Sequence, residues 1–154
     1  MYKKIIILLI FVNLLTHCGF APVHLTKSNI DFSITSIKWS GDKTINRYLK
    51  SNLNNFINSD HSKKFQVDIN TKYEKNIISK DKSAKITNYQ LVSTTFFKVN
   101  YNNLVKTFSI SEKKSMNNIN DKFEEQKYER TIKQNFASTT SNKLISELSL
   151  LNDN

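Results

Sequence analysis

Apolar side chains recur at every second position over Phe65, Val67, Ile69, Thr71 and Tyr73, and again over Leu91, Ser93, Thr95, Phe97, Val99 and Tyr101. A period of two predicts strands with one buried face. The first of these strands runs on toward Ile78, the second spans Ile86 to Tyr101, and a third begins with Leu104, Lys106, Phe108 and Ile110. The connections are short and polar, Ser79 to Ser83 and then the tight-turn pair Asn102-Asn103, so the three strands are expected to form an antiparallel meander. Upstream, Phe32 and Ile34, then Ile37 and Trp39, alternate with one change of phase. That reads as a strand with a bulge or bend near Thr35 and Ser36.

Two stretches switch to helical spacing. Asp42 follows the chain-breaking Gly41 as an N-cap, and Ile45, Tyr48, Leu49, Leu53, Phe56 and Ile57 form one stripe on a helix expected to reach about Ile57. Met116 to Asp121 is Asn-rich and reads as irregular. Asp121 with Glu124 then resembles a capping box opening the longest element. Its stripe is Phe123, Tyr128, Ile132, Phe136, Leu144, Leu148 and Leu151, flanked by Ala137 and Ile145, before a tail from Asn152 to Asn154. The order β-α-β-β-β-α predicts an α+β fold. It is a two-layer sandwich in which two helices pack on one face of a four-stranded, mostly antiparallel sheet.

The opening of the chain has neither pattern. Tyr2-Lys3-Lys4 precedes an apolar run from Ile5 to Leu15, broken only by Asn13. The run falls well below the roughly 20 residues of a membrane-spanning helix and suits an export signal. It ends Leu15-Thr16-His17-Cys18, placing the only cysteine at a boundary. The expected division is a signal over 1–17, a tether over 18–30 and a single domain over 31–151. One cysteine excludes an intrachain disulfide. The alternative for Cys18 is a buried structural thiol.

Charge narrows the partners. The net charge is +10, of which Lys3 and Lys4 contribute two, and Arg47 and Arg130 are the only arginines. Such a balance favours anionic partners, or else a diffuse solvated surface. Export makes nucleic acid an unexpected partner. Lys80, Lys82 and Lys85 flank one hairpin tip, while Lys63 and Lys64 open the first meander strand and Lys113 and Lys114 end the last. Three ammonium groups on a projecting tip suit phosphate; an ordinary soluble turn explains them equally simply.

Catalytic patterns are missing from the sequence. Gly19 and Gly41 are the only glycines, which excludes the usual P-loop and dinucleotide fingerprints. No G-x-S-x-G, H-E-x-x-H or C-x-x-C occurs. His24 lies in the tether and His61 in a turn, and Glu124 and Glu125 are explained by capping and the helix dipole. Trp39 reads as a core aromatic, while Phe97 and Tyr101 on a sheet suit either a core or a stacking platform. No enzyme activity, cofactor or metal is expected.

The segment Leu15-Thr16-His17-Cys18 resembles a bacterial lipoprotein signal, which implies cleavage between His17 and Cys18 and acylation of the Cys18 thiol. His17 departs from the small residue normally found before the cysteine. Gly19, rather than Asp, after the cysteine implies the outer membrane. Cys18-Gly19-Phe20-Ala21-Pro22, together with the domain length and element order, resembles the LPS-assembly lipoprotein LptE family. That resemblance implies an outer-membrane lipoprotein on the periplasmic side that plugs the LptD β-barrel and helps lipopolysaccharide reach the surface. It makes Lys80, Lys82 and Lys85 the candidates for contact with lipopolysaccharide. The alternatives are a pilotin or scaffold lipoprotein of another envelope complex and, further off, a periplasmic lipid- or glycan-processing enzyme.

Overall fold

In a computed structural model, residues 31–152 are described. The signal, the tether and Cys18 lie outside them. The elements are β1 (Phe32–Gly41), α1 (Lys43–Leu53), a 3-10 turn (Asn54–Phe56), β2 (Lys63–Lys80), β3 (Ile86–Tyr101), β4 (Leu104–Asn117) and α2 (Lys122–Asn152). The sheet order is β1-β2-β3-β4, with β1 parallel to β2 and the remaining pairs antiparallel. This is the expected two-layer α+β sandwich.

The alternation in β2 and β3 places Phe65, Val67, Ile69 and Thr71 opposite Tyr101, Val99, Phe97 and Thr95 on the helix-covered face. Ile45, Leu49 and Leu53 of α1 and Leu144, Ile145 and Leu148 of α2 close over them. The opposite face carries Gln66, Asn70, Lys98 and Thr107 to solvent. The phase change in β1 is a bulge: the register slips between Ile34 and Ser36, and the extra Thr35 donates its hydroxyl to the Phe65 carbonyl at 3.1 Å. Asn102 and Asn103, with φ of 45° and 65°, supply the two left-handed positions of the β3–β4 hairpin.

Gly41 is obligatory for the passage from β1 to α1. Its φ is +90°, and an added Cβ would lie 1.9 Å from the Thr71 carbonyl oxygen. That carbonyl accepts the Asp42 N–H at 2.8 Å. The Asp42 carboxylate then caps α1 by accepting the N–H groups of Thr44 and Ile45.

Four expectations change. Regular α1 stops at Leu53 rather than Ile57, because the chain tightens into the 3-10 turn and Ile57 bridges to Ile34. The strand β4 continues through Asn117 instead of becoming irregular at Met116, and Met116 is buried with Leu91, Ile132 and Phe136. Asn152 is helical rather than part of a tail. In α2 the stripe begins late: Phe123 is 72% and Tyr128 43% exposed, while Glu125 is buried. The helix meets the sheet first through charge and only later through hydrocarbon.

Candidate functional site

The lysine hairpin forms where β2 and β3 outrun the helices. Asp81 organises its turn: the carboxylate accepts the N–H groups of Ser83 and Lys85, and the Asp81 N–H donates to the Lys85 carbonyl at 2.9 Å. Ala84 holds a φ of 60° within it. Lys80, Lys82 and Lys85 are all exposed and make no ion pair among the described residues. The structure therefore gathers these three candidates on one turn. Lys63 and Lys64 lie at the opposite end of β2, pairing with Phe32 and Ser33, so the basic residues do not form one patch.

A polar recess of about 510 Å³ adjoins the tip, lined by Asp81, Lys85, Asn88, Asn117, Asn118 and Asn120, with Ile86 and Thr87. It forms where the segment leaving β4 stays paired with the start of β3 beside the hairpin. The Asn118 N–H donates to the Thr87 carbonyl at 2.7 Å, and the Asn88 side-chain amide donates to Asn117 at 2.7 Å. Ammonium and amide donors beside a concave surface can hold phosphate or sugar hydroxyls. Sequence reading missed the recess because its walls come from segments thirty residues apart, each of which looks like an ordinary polar connection.

Glu125, read from sequence as a dipole partner, belongs instead to a charge ladder under α2. Lys75 reaches Glu125 at 2.7 Å and Glu129 at 3.0 Å, and Lys122 also reaches Glu125 at 2.6 Å. Tyr73 donates its hydroxyl to Glu129 at 2.8 Å. Lys133 reaches Asp42 at 3.2 Å and sits 3.8 Å from the centre of the Tyr73 ring. Hydrogen bonds from Lys122 and Lys75 hold the Glu125 carboxyl below its ordinary value. Burial, then the bond to Glu129, pushes the Tyr73 hydroxyl up. Burial pulls Lys75 down, but its bonds to Glu125 and Glu129 outweigh this and raise it. Glu124, by contrast, points outward and pairs with Lys127.

His61 lies 3.6 Å from Asp31 at the far end of the sheet, remote from the ladder. Among the described residues no three His, Cys, Asp or Glu side chains gather as a metal site, and no helix is long and apolar enough to cross a membrane.

No family model matches the chain, and no curated protein matches it. Solved structures do. Rare lipoprotein B from Shewanella oneidensis aligns with a TM-score of 0.58 at 14% identity, over 77% of this chain and 99% of that one. The chain has the fold of these lipoproteins. A minor lipoprotein from Acinetobacter baumannii aligns at 0.53 and 14% identity, over 75% and 94% of the two chains. An uncharacterized lipoprotein B from Nitrosomonas europaea aligns at 0.55 and 13% identity, over 77% and 85%. At such identities the likeness is one of architecture.

Proposed function

We propose that this protein is a lipid-anchored envelope lipoprotein, held through Cys18 on the periplasmic side of the outer membrane, that acts as plug and assembly partner of the LptD β-barrel. The observation that carries the reading is the coincidence of a signal ending at Cys18 with a fold shared by solved lipoproteins. Two or three acyl chains at roughly 0.8 kcal/mol per buried methylene hold such a domain stably at a bilayer. The polar outer face of the sheet suits a water-filled lumen. The role is one of binding, without catalysis.

The lysine tip and its Asn-lined recess form the surface for lipopolysaccharide, whose phosphates and sugar hydroxyls match ammonium and amide donors. Replacing Lys80, Lys82 and Lys85 together by Ser is expected to weaken lipopolysaccharide binding without lowering the melting temperature, because the three side chains bear no packing. Unchanged affinity removes the tip from the reading. Capture of the detergent-extracted protein from its own membranes tests the partnership: an outer-membrane barrel is expected with it. Recovery of another envelope complex without a barrel overturns the assignment in favour of a pilotin or scaffold.

A further inference from the structure

Among the described residues, the sheet face turned away from the helices carries one aromatic ring. Phe96 stands there on β3, 41% exposed, while Phe97 beside it in the chain is buried on the other face with its ring centre 5.0 Å from that of Phe108. Successive strand residues point to opposite faces, so the ring open to a stacking partner is Phe96 and not Phe97. An open concavity of about 560 Å³ surrounds it and crosses all four strands.

The register arranges polar groups about the ring. Asn70 and Ser109 pair with Phe96 from either side, and the next row runs Lys38, Asp68 and Lys98 across β1, β2 and β3. Asp68 therefore stands between two lysines, yet it forms an ion pair with neither. The side chains of Lys38, Asp68, Asn70, Lys98 and Ser109 make no hydrogen bond or ion pair among the described residues. From the row beyond, Lys72 brings its ammonium to 5.4 Å from the ring centre.

These features select a ligand chemistry. The C–H side of a sugar ring packs on an aromatic face, its hydrogens against the negative π surface. Uncommitted carboxylate, amide, hydroxyl and ammonium groups beside that face match sugar hydroxyls, which both donate and accept. Three lysines against one aspartate leave the surroundings of the ring net positive, which suits a sugar that bears a carboxylate. A wholly apolar partner would strip water from Asp68 and the lysines and give nothing back. An inorganic anion would leave the ring unused and meet Asp68.

We infer that the concavity around Phe96 binds a glycan through an acidic pyranose ring that stacks on Phe96, sets its hydroxyls against Asp68 and Asn70 and turns its carboxylate to Lys72. The site is separate from the lysine tip, because Asn70 lies ten positions before Lys80 on β2, roughly 33 Å along the strand. It depends on neither the tip nor a barrel partner.

The test is calorimetric titration and saturation-transfer NMR of the full chain in detergent micelles, with digalacturonate, its neutral counterpart galactobiose and adenosine monophosphate as probes. Digalacturonate is expected to bind, with saturation strongest on the hydrogens of one ring face. Phe96→Ala is expected to weaken it at least tenfold at an unchanged melting temperature, and Phe96→Trp to keep it. Lys72→Gln is expected to bring digalacturonate down to the affinity of galactobiose, while joint replacement of Lys80, Lys82 and Lys85 by Ser leaves binding unaltered. Failure of the folded chain to bind digalacturonate, or an affinity that Phe96→Ala does not change, overturns the site. Equal affinity for galactobiose overturns the acidic sugar. Tighter binding of adenosine monophosphate that is lost in Phe96→Ala assigns the ring to a nucleobase and overturns the glycan.

Discussion

The two halves of α2 solve the same docking problem by different means. From Phe136 to Leu148 the helix lays Ala137, Leu144, Ile145 and Leu148 into a continuous apolar core with α1 and the sheet. From Lys122 to Lys133 it instead sets Glu125, Glu129 and Lys133 against Lys75, Tyr73 and Asp42. Fully burying a leucine contributes about 1.5–3 kcal/mol, whereas a buried ion pair roughly breaks even once desolvation is counted. Hydrocarbon tolerates sliding, but the ladder fixes the helix along its axis, since Lys133 finds Asp42 in one register only. The apolar half therefore supplies most of the stability and the charged half sets position. Lys133 also joins α2 to the residue that caps α1, so one ammonium group locks two helices and the β1–α1 passage together.

The largest effect expected from this division is in the apolar half. Leu144→Ala should cost about 3 kcal/mol in a urea unfolding experiment, through lost transfer energy and the cavity left behind. A loss under about 1 kcal/mol would mean that the two halves contribute alike.

In the charged half, Glu125→Gln should cost about 2 kcal/mol, because it weakens two charge-assisted bonds while Lys75 stays under the helix. Replacing both partners, Lys75→Met with Glu125→Leu, should return stability to within about 1 kcal/mol of the parent. The pH profile has a defined sign. Glu125 is held below its ordinary value of 4.5, so its contribution is full above that pH and disappears as the pH falls through the depressed value. Lys75 and Lys122 are raised above 10.5, so theirs is full below that pH and is lost as the pH climbs through the raised values. Chemical denaturation from pH 3 to 7 should show a shallower acid slope for Glu125→Gln than for the parent.

The smallest effect concerns the boundary between the halves. Along β3, Ser93 and Thr95 separate Leu91 of the small cluster from Phe97 of the main core, and both hydroxyls are buried without a hydrogen-bond partner among the described residues. Ser93→Ala should raise stability by about 1 kcal/mol, by removing a desolvated group that gains nothing in return. A loss on substitution would show that this hydroxyl has a partner in solution.

The same contrast explains what the sequence disclosed. The strands were legible because only one sheet face is covered, so burial alternates with the pleat, and Asn102-Asn103 marked its own turn. The second half of α2 was legible for the same reason: apart from Thr140 and Ser141, its buried positions are apolar. Its first half was misread because a helical stripe is counted in hydrocarbon. Glu125, Glu129 and Lys133 look like a solvated face, and Phe123 and Tyr128 look like core, until Lys75 is seen waiting on β2. Met116 was hidden among asparagines. The lysine turn could be found because its residues are adjacent in the chain, whereas the recess beside it requires the fold to bring Asn88 and Asn117 together.

The parallel pairing of β1 with β2 has a mechanical consequence. β1 is an edge strand, and its whole ladder from Phe32 to Gly41 lies alongside β2. A pull on the start of β1 against a load at the β2–β3 turn runs along the strand axes, and β1 is loaded in shear against its neighbour. In that geometry the ladder bonds share the force and yield together, where a strand peeled from one end gives way one bond at a time. The parallel β1–β2 pair is thus the strand arrangement that resists a pull along its length.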